Sequence, residues 1–250
     1  MRKQGGYENS ARLYDLFDDK ENLELFCNRA ASSGEVIDVG AGTGRIAIPL
    51  ARRGVRVYCV EPSPAMRRVF DQKLDREPQL RKRITLVPSY ASSFEAGRRY
   101  PAAYLSGSFD HLLDDSERMA ALSNVNRHLT TGGMLVFDVF LGSMGDKPLS
   151  PAGVAQTPEG EVRRFVGGRV LPGGRKETTL VFERYVKGEL VERIEEHSLV
   201  GITSRPMIHD LLSRTGFELA HEWGDYDQEP YIDGDDMMIV EASKAHDIGE

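Results

Sequence analysis

The feature that most constrains this chain is the run Glu35-Val36-Ile37-Asp38-Val39-Gly40-Ala41-Gly42-Thr43-Gly44, with Glu61 following 17 residues after its last glycine. Val36, Ile37 and Val39 read as a buried strand that enters a loop with glycine at every second position. A helix-like segment, Arg45–Arg53, comes next, then Gly54 and a second apolar run, Val55–Val60, ending in an acid. Strand, glycine turn, helix, strand, acid is the order of a nucleotide-binding half of a doubly wound α/β sheet. Dinucleotide sites use G-x-G-x-x-G, aimed at a pyrophosphate. Here Arg45 stands where the third dinucleotide glycine belongs, so the loop turns one residue early, which suits a ligand without a pyrophosphate. An acid at the tip of the second strand suits a ribose diol, because one carboxylate can accept from two hydroxyls.

This arrangement resembles the Rossmann-like (class I) S-adenosylmethionine-dependent methyltransferases, small-molecule type. Further motifs follow in the family's order. Ala102–Ser106 reads as the fourth strand, with Gly107-Ser108-Phe109-Asp110-His111 as the loop after it. Leu129-Thr130-Thr131-Gly132-Gly133-Met134-Leu135 is similar to the L-x-x-G-G-x-L turn before the fifth strand, and Thr215-Gly216-Phe217 to the turn into the sixth. The resemblance implies an α/β fold: a doubly wound, seven-stranded, mostly parallel sheet with an antiparallel last hairpin. It implies S-adenosylmethionine as cofactor, S-adenosylhomocysteine as product, and methyl transfer to nitrogen or oxygen of a small molecule.

On that resemblance Asp38 and the loop Gly40, Ala41, Gly42, Thr43 and Gly44 hold the methionine portion, and Glu61 holds the ribose. Pro62 and Met66 lie against adenine, while Ser106 and Gly107 approach the sulfonium. Tyr14 matches a tyrosine that covers the cofactor; a core aromatic is the alternative. The family often carries an acid after the third strand for the adenine amino group. This chain has Val87-Pro88-Ser89-Tyr90-Ala91 instead, which leaves adenine to Ser89 or Tyr90, by hydroxyl, carbonyl or stacking.

Methyl transfer needs alignment and exclusion of water more than acid–base chemistry. A base helps where the acceptor arrives protonated, and His111, in the loop after the fourth strand, is the leading candidate. A histidine packing under the next helix is the alternative. Ser108, Phe109, His197 and Tyr226 are the substrate-side candidates, His209 is a weaker one, and His128 reads as structural.

Two helices are expected between Tyr7 and Arg29, and one domain overall. Its parts are a helical cap (1–33), a cofactor-binding core (34–141), an insert (142–205) and a closing helix with strands (206–250). Gly142–Gly160 is rich in glycine and proline and reads as a loop. Glu161–Val170, Glu177–Lys187 and Glu189–Gly201 then read as a three-stranded antiparallel meander inserted after the fifth strand. This insert is expected to be a lid above the carboxyl ends of the sheet, a homodimerisation arm being the competing reading. The tail Ser243–Glu250 is expected to fray.

A formal net charge of −7, with basic residues in scattered bursts, argues against a nucleic-acid partner. No run approaches the roughly 18 apolar residues of a membrane span, and no apolar stretch follows the basic N-terminus as in a signal peptide. Two cysteines are too few for a disulfide framework and lack metal-ligand spacing, and the cytoplasm is the default expectation. The acids from Asp225 to Asp236 imitate a calcium loop, but Pro230 stands where the sharp-turn glycine is required. No metal is expected.

Overall fold

The computed structural model describes residues 7–17, 22–141 and 145–247. Met1–Gly6, Gly142–Met144 and Ile248–Glu250, on which parts of the N-terminal, loop and tail readings fall, lie outside them. Two sheets are present. The larger is built from β1 (Glu35–Val39), β2 (Arg56–Val60), β3 (Ile84–Val87), β4 (Tyr100–Leu105), β5 (Leu129–Phe140), β10 (Phe217–Trp223) and β11 (Met237–Lys244). Their order across the sheet is β10-β11-β5-β4-β1-β2-β3. β1 pairs in parallel with both β2 and β4, so the chain reverses direction of travel between them. That reversal is the switch point at which open α/β sheets bind ligands. β11 runs antiparallel to β5 and β10, closing the edge as a hairpin.

Alternation along β1 explains the layering. Val36 joins one apolar cluster, with Phe26, Leu50 and Phe70, while Ile37 and Val39 join the other, with Phe109, Leu122 and Phe137. A strand buried on both faces must be apolar on both, which is why β1 reads as a continuous run rather than an alternating one. α2 (Leu23–Ala31), α3 (Ala47–Arg52) and α4 (Pro64–Arg76) cover the first face. The second is covered by α5 (Asp115–His128) and α6 (Arg205–Arg214). Ser63 caps α4 by accepting from the Met66 amide at 3.3 Å, with Pro64 at the first helical position, where its missing N–H costs nothing.

The insert differs from expectation in one respect. It has four strands, not three: β6 (Lys147–Thr157), β7 (Gly160–Leu171), β8 (Arg175–Val186) and β9 (Glu189–Gly201), in that order and all antiparallel. Pro148, Pro151 and Gly153 made β6 look like loop. As the edge strand it tolerates them, and its register with β7 slips at those positions. Of the tail, residues 243–247 are described, and the first two continue β11. Lys244 ends β11 with its Nζ buried, donating to the carbonyls of Asn126 at 2.8 Å and Leu129 at 2.9 Å and pairing with Asp247. No described helix is long and apolar enough to cross a membrane.

α1 (Ala11–Tyr14) and the short turn after it join the two sheets. Leu13 packs on Val162 and Phe182 of the insert, and the Glu196 carboxylate of β9 accepts from the Asn9 amide at 2.6 Å and from the Ser10 hydroxyl. Just after β9 the chain meets the core, where Arg118 Nη2 donates to the Ile202 carbonyl at 3.2 Å. The insert is thereby held through its last strand and through the Leu13 contact with β7 and β8.

Candidate active site

The glycine loop is set by its backbone. The Gly40 and Ala41 amides both donate to the Val60 carbonyl, at 2.8 and 3.1 Å, folding the loop over the tip of β2. Gly40, Gly42 and Gly44 all have positive φ, a region that side chains enter at a cost. A Cβ on Gly44 would overlap the Phe70 ring of α4, and one on Gly40 would overlap Ser108. The spacing of the glycines is therefore fixed by conformation and by two close approaches, one from each side.

Glu61 leaves β2 with its carboxylate turned back into this loop. Oε2 accepts from the Gly42 amide at 2.8 Å and Oε1 from the Ser63 amide at 2.7 Å. Burial raises its pKa, opposed by those two amides and by Arg67. Each oxygen keeps a second lone pair, so the carboxylate is aimed and still able to accept. Thr43 is buried and donates to Asp15 Oδ1 at 2.6 Å, and Lys73 holds the other Asp15 oxygen. The N-terminal segment is pinned across the loop by that contact. Tyr14 is half-buried there, edge-on to Tyr7 at 5.4 Å and packed with Ala65 and Met66. Tyr14 and Met66 are thus brought together over the loop. Pro62 is exposed, Ser89 is half-buried and Tyr90 is exposed beyond β3.

Across the switch point a polar cluster is buried. Gly107 N donates to Asp138 Oδ1 at 2.5 Å, and the Tyr226 hydroxyl donates to Oδ2 at 2.8 Å. Ser106 Oγ accepts from Asn22 Nδ2 at 2.9 Å and from Arg45 Nη2 at 3.1 Å, and Arg45 also donates to the Asn22 oxygen. Asp38 lies nearby, buried, with Oδ2 lacking any partner. Burial pushes its pKa up to about 7, Arg45 opposing and Glu61 adding to the rise. Asp138 is raised for the same reason. Three acids, Asp38, Glu61 and Asp138, share this crevice with Arg45, so it is prepared for a ligand carrying positive charge.

The sequence candidates separate in the structure. Tyr226, drawn from the connection after β10, reaches Asp138, whereas Ser108 and Phe109 turn away from the crevice. Ser108 donates to the Val39 carbonyl at 2.8 Å and packs on Gly40, bracing β1 against β4. Phe109 is fully buried and stacked on Phe137 at 4.5 Å, so it is a core residue. His111 lies under the insert, its ring bonded to the Leu199 backbone of β9 and edge-on to Tyr7 at 6.0 Å. Burial lowers its pKa, which keeps the imidazole neutral. His197 is exposed on β9, on the side opposite Glu196 and Ser198, and meets its neighbours Thr179 and Glu195. Strand alternation turns it outward. His209 is on the surface, 2.6 Å from Glu222, and His128 contacts Phe94 and the Asn124 carbonyl, a structural position.

The acids after β10 serve turns: Asp225 accepts from the Glu229 amide at 3.1 Å and Asp235 from the Ile232 amide at 2.8 Å. A groove of about 750 Å³ between α1, α4 and β9 is lined by none of the glycine-loop or 106–111 residues. Sequence reading did not place Asn22, Arg45 or Asp138 in the site. Asp138 carried a signal, an acid inside the apolar run of β5, and Arg45 carried one in its position directly after the loop. Asn22 carried none, since only tertiary folding delivers it.

The acids' burial has a consequence for stability. Asp38 and Asp110, the latter also pushed up to about 7 chiefly by burial, are deprotonated in an unfolded chain above pH of about 4. Between about 4 and 7 the folded protein therefore holds protons that the unfolded chain has released, and its stability falls as pH rises through that window. The melting midpoint of ligand-free protein is expected to drop between pH of about 4 and about 7, and Asp110→Asn to flatten the drop. Differential scanning fluorimetry checks this; an Asp110→Asn profile as steep as wild type would contradict it.

Comparison with known proteins agrees with this geometry. Residues 36–133 match the family model described as a methyltransferase domain. An uncharacterized methyltransferase of Bacillus thuringiensis is 30% identical over 144 residues, a match spanning 53% of this chain and 65% of that relative. The solved structure of an S-adenosylmethionine-dependent methyltransferase from Clostridium acetobutylicum superposes with a TM-score of 0.79 at 16% identity, over 94% of this chain and 98% of that one. CalS10, an amino pentose methyltransferase from Micromonospora echinaspora solved with S-adenosylmethionine bound, gives 0.72 at 18% identity, over 93% and 95%. The early-turning glycine loop, the acid at the tip of β2 and the 3-2-1-4-5 order with its antiparallel edge hairpin go together: residues 36–133 match a methyltransferase-domain model, and the chain has the Rossmann-like fold of solved S-adenosylmethionine-dependent methyltransferases.

Proposed function

We propose that this protein transfers a methyl group from S-adenosylmethionine to a nitrogen or oxygen of a small molecule, in the cytoplasm. The observation that carries the reading is the buried site at the switch point, where Asp38 and Asp138 share Arg45 and Glu61 reaches into a loop of three positive-φ glycines. Those residues fit the cofactor. The unpartnered Asp38 oxygen and its neighbours suit an ammonium and a sulfonium, Arg45 suits the carboxylate, and the aimed Glu61 suits the ribose diol. Gly40, Ala41, Gly42, Thr43 and Gly44 supply the backbone cradle, and Tyr14, Pro62, Met66, Ser89 and Tyr90 frame the adenosine side. Ser106 and Gly107 face the reacting end.

Bound S-adenosylmethionine supplies an electrophilic methyl on sulfur. The chain's part is to hold the acceptor in line and exclude water. The insert, fastened along β9 by Glu196 and just after it by Arg118, is the proposed cover on the acceptor side. His111 is the proposed base: one ring nitrogen is engaged by Leu199, which leaves the other to accept a proton. Net charge of −7 supports a small-molecule acceptor over nucleic acid. Incubation with labelled S-adenosylmethionine and a broad set of amines, phenols and alcohols should yield S-adenosylhomocysteine in an acceptor-dependent manner. Absence of calorimetric binding of S-adenosylmethionine would refute the proposal.

A further inference from the structure

Asp15 belongs to none of the cofactor contacts assigned above, yet it is fixed from two sides. It opens the short 3₁₀ turn Asp15–Phe17 that follows α1. Its Oδ1 accepts from the Thr43 hydroxyl at 2.6 Å, and Lys73 Nζ of α4 stands 2.5 Å from Oδ2. Thr43 lies between Gly42, whose amide aims Glu61, and Gly44, which packs against the Phe70 ring. Only 1% of Thr43 is exposed, so its hydroxyl depends on a protein acceptor, and an unmade bond there would cost free energy. A carboxylate is a stronger acceptor than a carbonyl, and this one holds the loop at its centre.

The segment that carries Asp15 has two faces at helical spacing. Tyr7, Ala11 and Tyr14 pack with Ala65 and Met66 of α4, on the adenosine side of the proposed site. Ser10, Leu13 and Phe17, offset from them around the turn, meet the insert instead. The Ser10 hydroxyl and the Asn9 amide both donate to Glu196 of β9, and Leu13 packs on Val162 and Phe182. The Phe17 ring lies 5.7 Å from that of Phe182 and 4.8 Å from the Arg164 guanidinium. Glu196 is buried, and both its oxygens accept from this segment, so withdrawing the segment would strand a buried carboxylate. Beside these contacts α1, α4 and β9 border the open groove of about 750 Å³. The segment is therefore held by discrete bonds and not by continuous packing.

We infer that Asp15 is a positioning residue: through Thr43 it holds the cofactor loop, and through segment 7–17 it makes the order of the insert depend on that loop. This rests on the methyl-transfer reading above and deepens it. A ligand that fits the loop as Asp15 holds it favours the docked segment, and the docked segment supplies the donors of Glu196 and the apolar seat of Leu13. The cover on the acceptor side is thus firmer once the loop is occupied, and by linkage a seated insert tightens the hold on whatever occupies the loop. Asp15 touches no reacting atom; its part is to connect two sites that share one strap of chain.

The test uses full-length protein with S-adenosylhomocysteine, followed by calorimetry and by hydrogen–deuterium exchange. In wild type, saturating ligand should slow amide exchange about fivefold or more in β9, an edge strand that carries none of the proposed cofactor residues. Exchange in α6, which covers the opposite face of the large sheet from α4, should stay within about twofold, as a general stabilisation would not allow. Asp15→Ala should weaken S-adenosylhomocysteine about tenfold and, even at saturation, should no longer slow exchange in β9. Thr43→Val removes the hydroxyl and should lose as much, while the double variant should lose no more than either alone. Thr43→Ser, which restores the hydroxyl, should bind within about twofold of wild type. If Asp15→Ala does not fold, the Thr43→Val and Thr43→Ser pair makes the same comparison. Unchanged affinity in either Asp15→Ala or Thr43→Val, additive losses in the double variant, β9 exchange that ligand leaves unaltered in wild type, or β9 slowing that persists in the variants would overturn the inference. Failure of wild type to bind S-adenosylhomocysteine would instead strike the methyl-transfer reading beneath it.

Discussion

Glu61→Ala should weaken S-adenosylmethionine binding about 100-fold in isothermal titration calorimetry, with the protein still folded. The carboxylate is held by the Gly42 and Ser63 amides at 2.8 and 2.7 Å, so its orientation is set before ligand arrives. Two charge-assisted hydrogen bonds to a ribose diol contribute on the order of 3 kcal/mol together, which corresponds to about two decades in affinity. Truncation also leaves two amides without their acceptor, an effect separate from ligand contacts. Glu61→Gln separates the two. It retains one acceptor oxygen for the loop but presents an NH₂ group to a second amide and to one hydroxyl, so a loss of about tenfold is expected. Undiminished affinity in Glu61→Ala would mean that the β2 acid does not meet the ribose.

The second large effect is on stability. Gly44→Ala should lower the free energy of unfolding by about 3 kcal/mol. Part of that, about 1–2 kcal/mol, comes from forcing a side chain into the left-handed region at φ +82°. The rest comes from collision with Phe70, which is fully buried in the layer formed by α3 and α4 and has no room to withdraw. For a chain of this size the melting midpoint should fall by about 10 °C. Shrinking the partner isolates the collision: Gly44→Ala with Phe70→Leu should be less damaging than the sum of the two single changes. Strict additivity in urea unfolding would show that the clash is relieved elsewhere. Because Gly44 and Phe70 also fix where the loop lies relative to α4, the single variant should bind S-adenosylmethionine more weakly even at temperatures where it is folded.

The sequence by itself determined the sheet and its ligand class. Val36, Ile37 and Val39 are apolar on both faces because β1 lies between two helical layers, and the glycine spacing is dictated by backbone angles that other residues resist. Such constraints are local, so a short window of sequence carries them. β6 was misread for a related reason: Pro148 and Pro151 speak only of local backbone, while strand formation at a sheet edge is decided by the partner, β7. What only the tertiary structure decided is which polar side chains meet. Asn22, Arg45, Ser106, Asp138 and Tyr226 are brought from five separate segments to one buried cluster, and no periodicity in any one segment announces that. The same holds for the sorting of the 106–111 turn, where Ser108 and Phe109 serve the core while Asp110 and His111 face β5 and the insert. Propensity acts along the chain, whereas burial and charge act through space, and the chemistry of this site depends on the second kind.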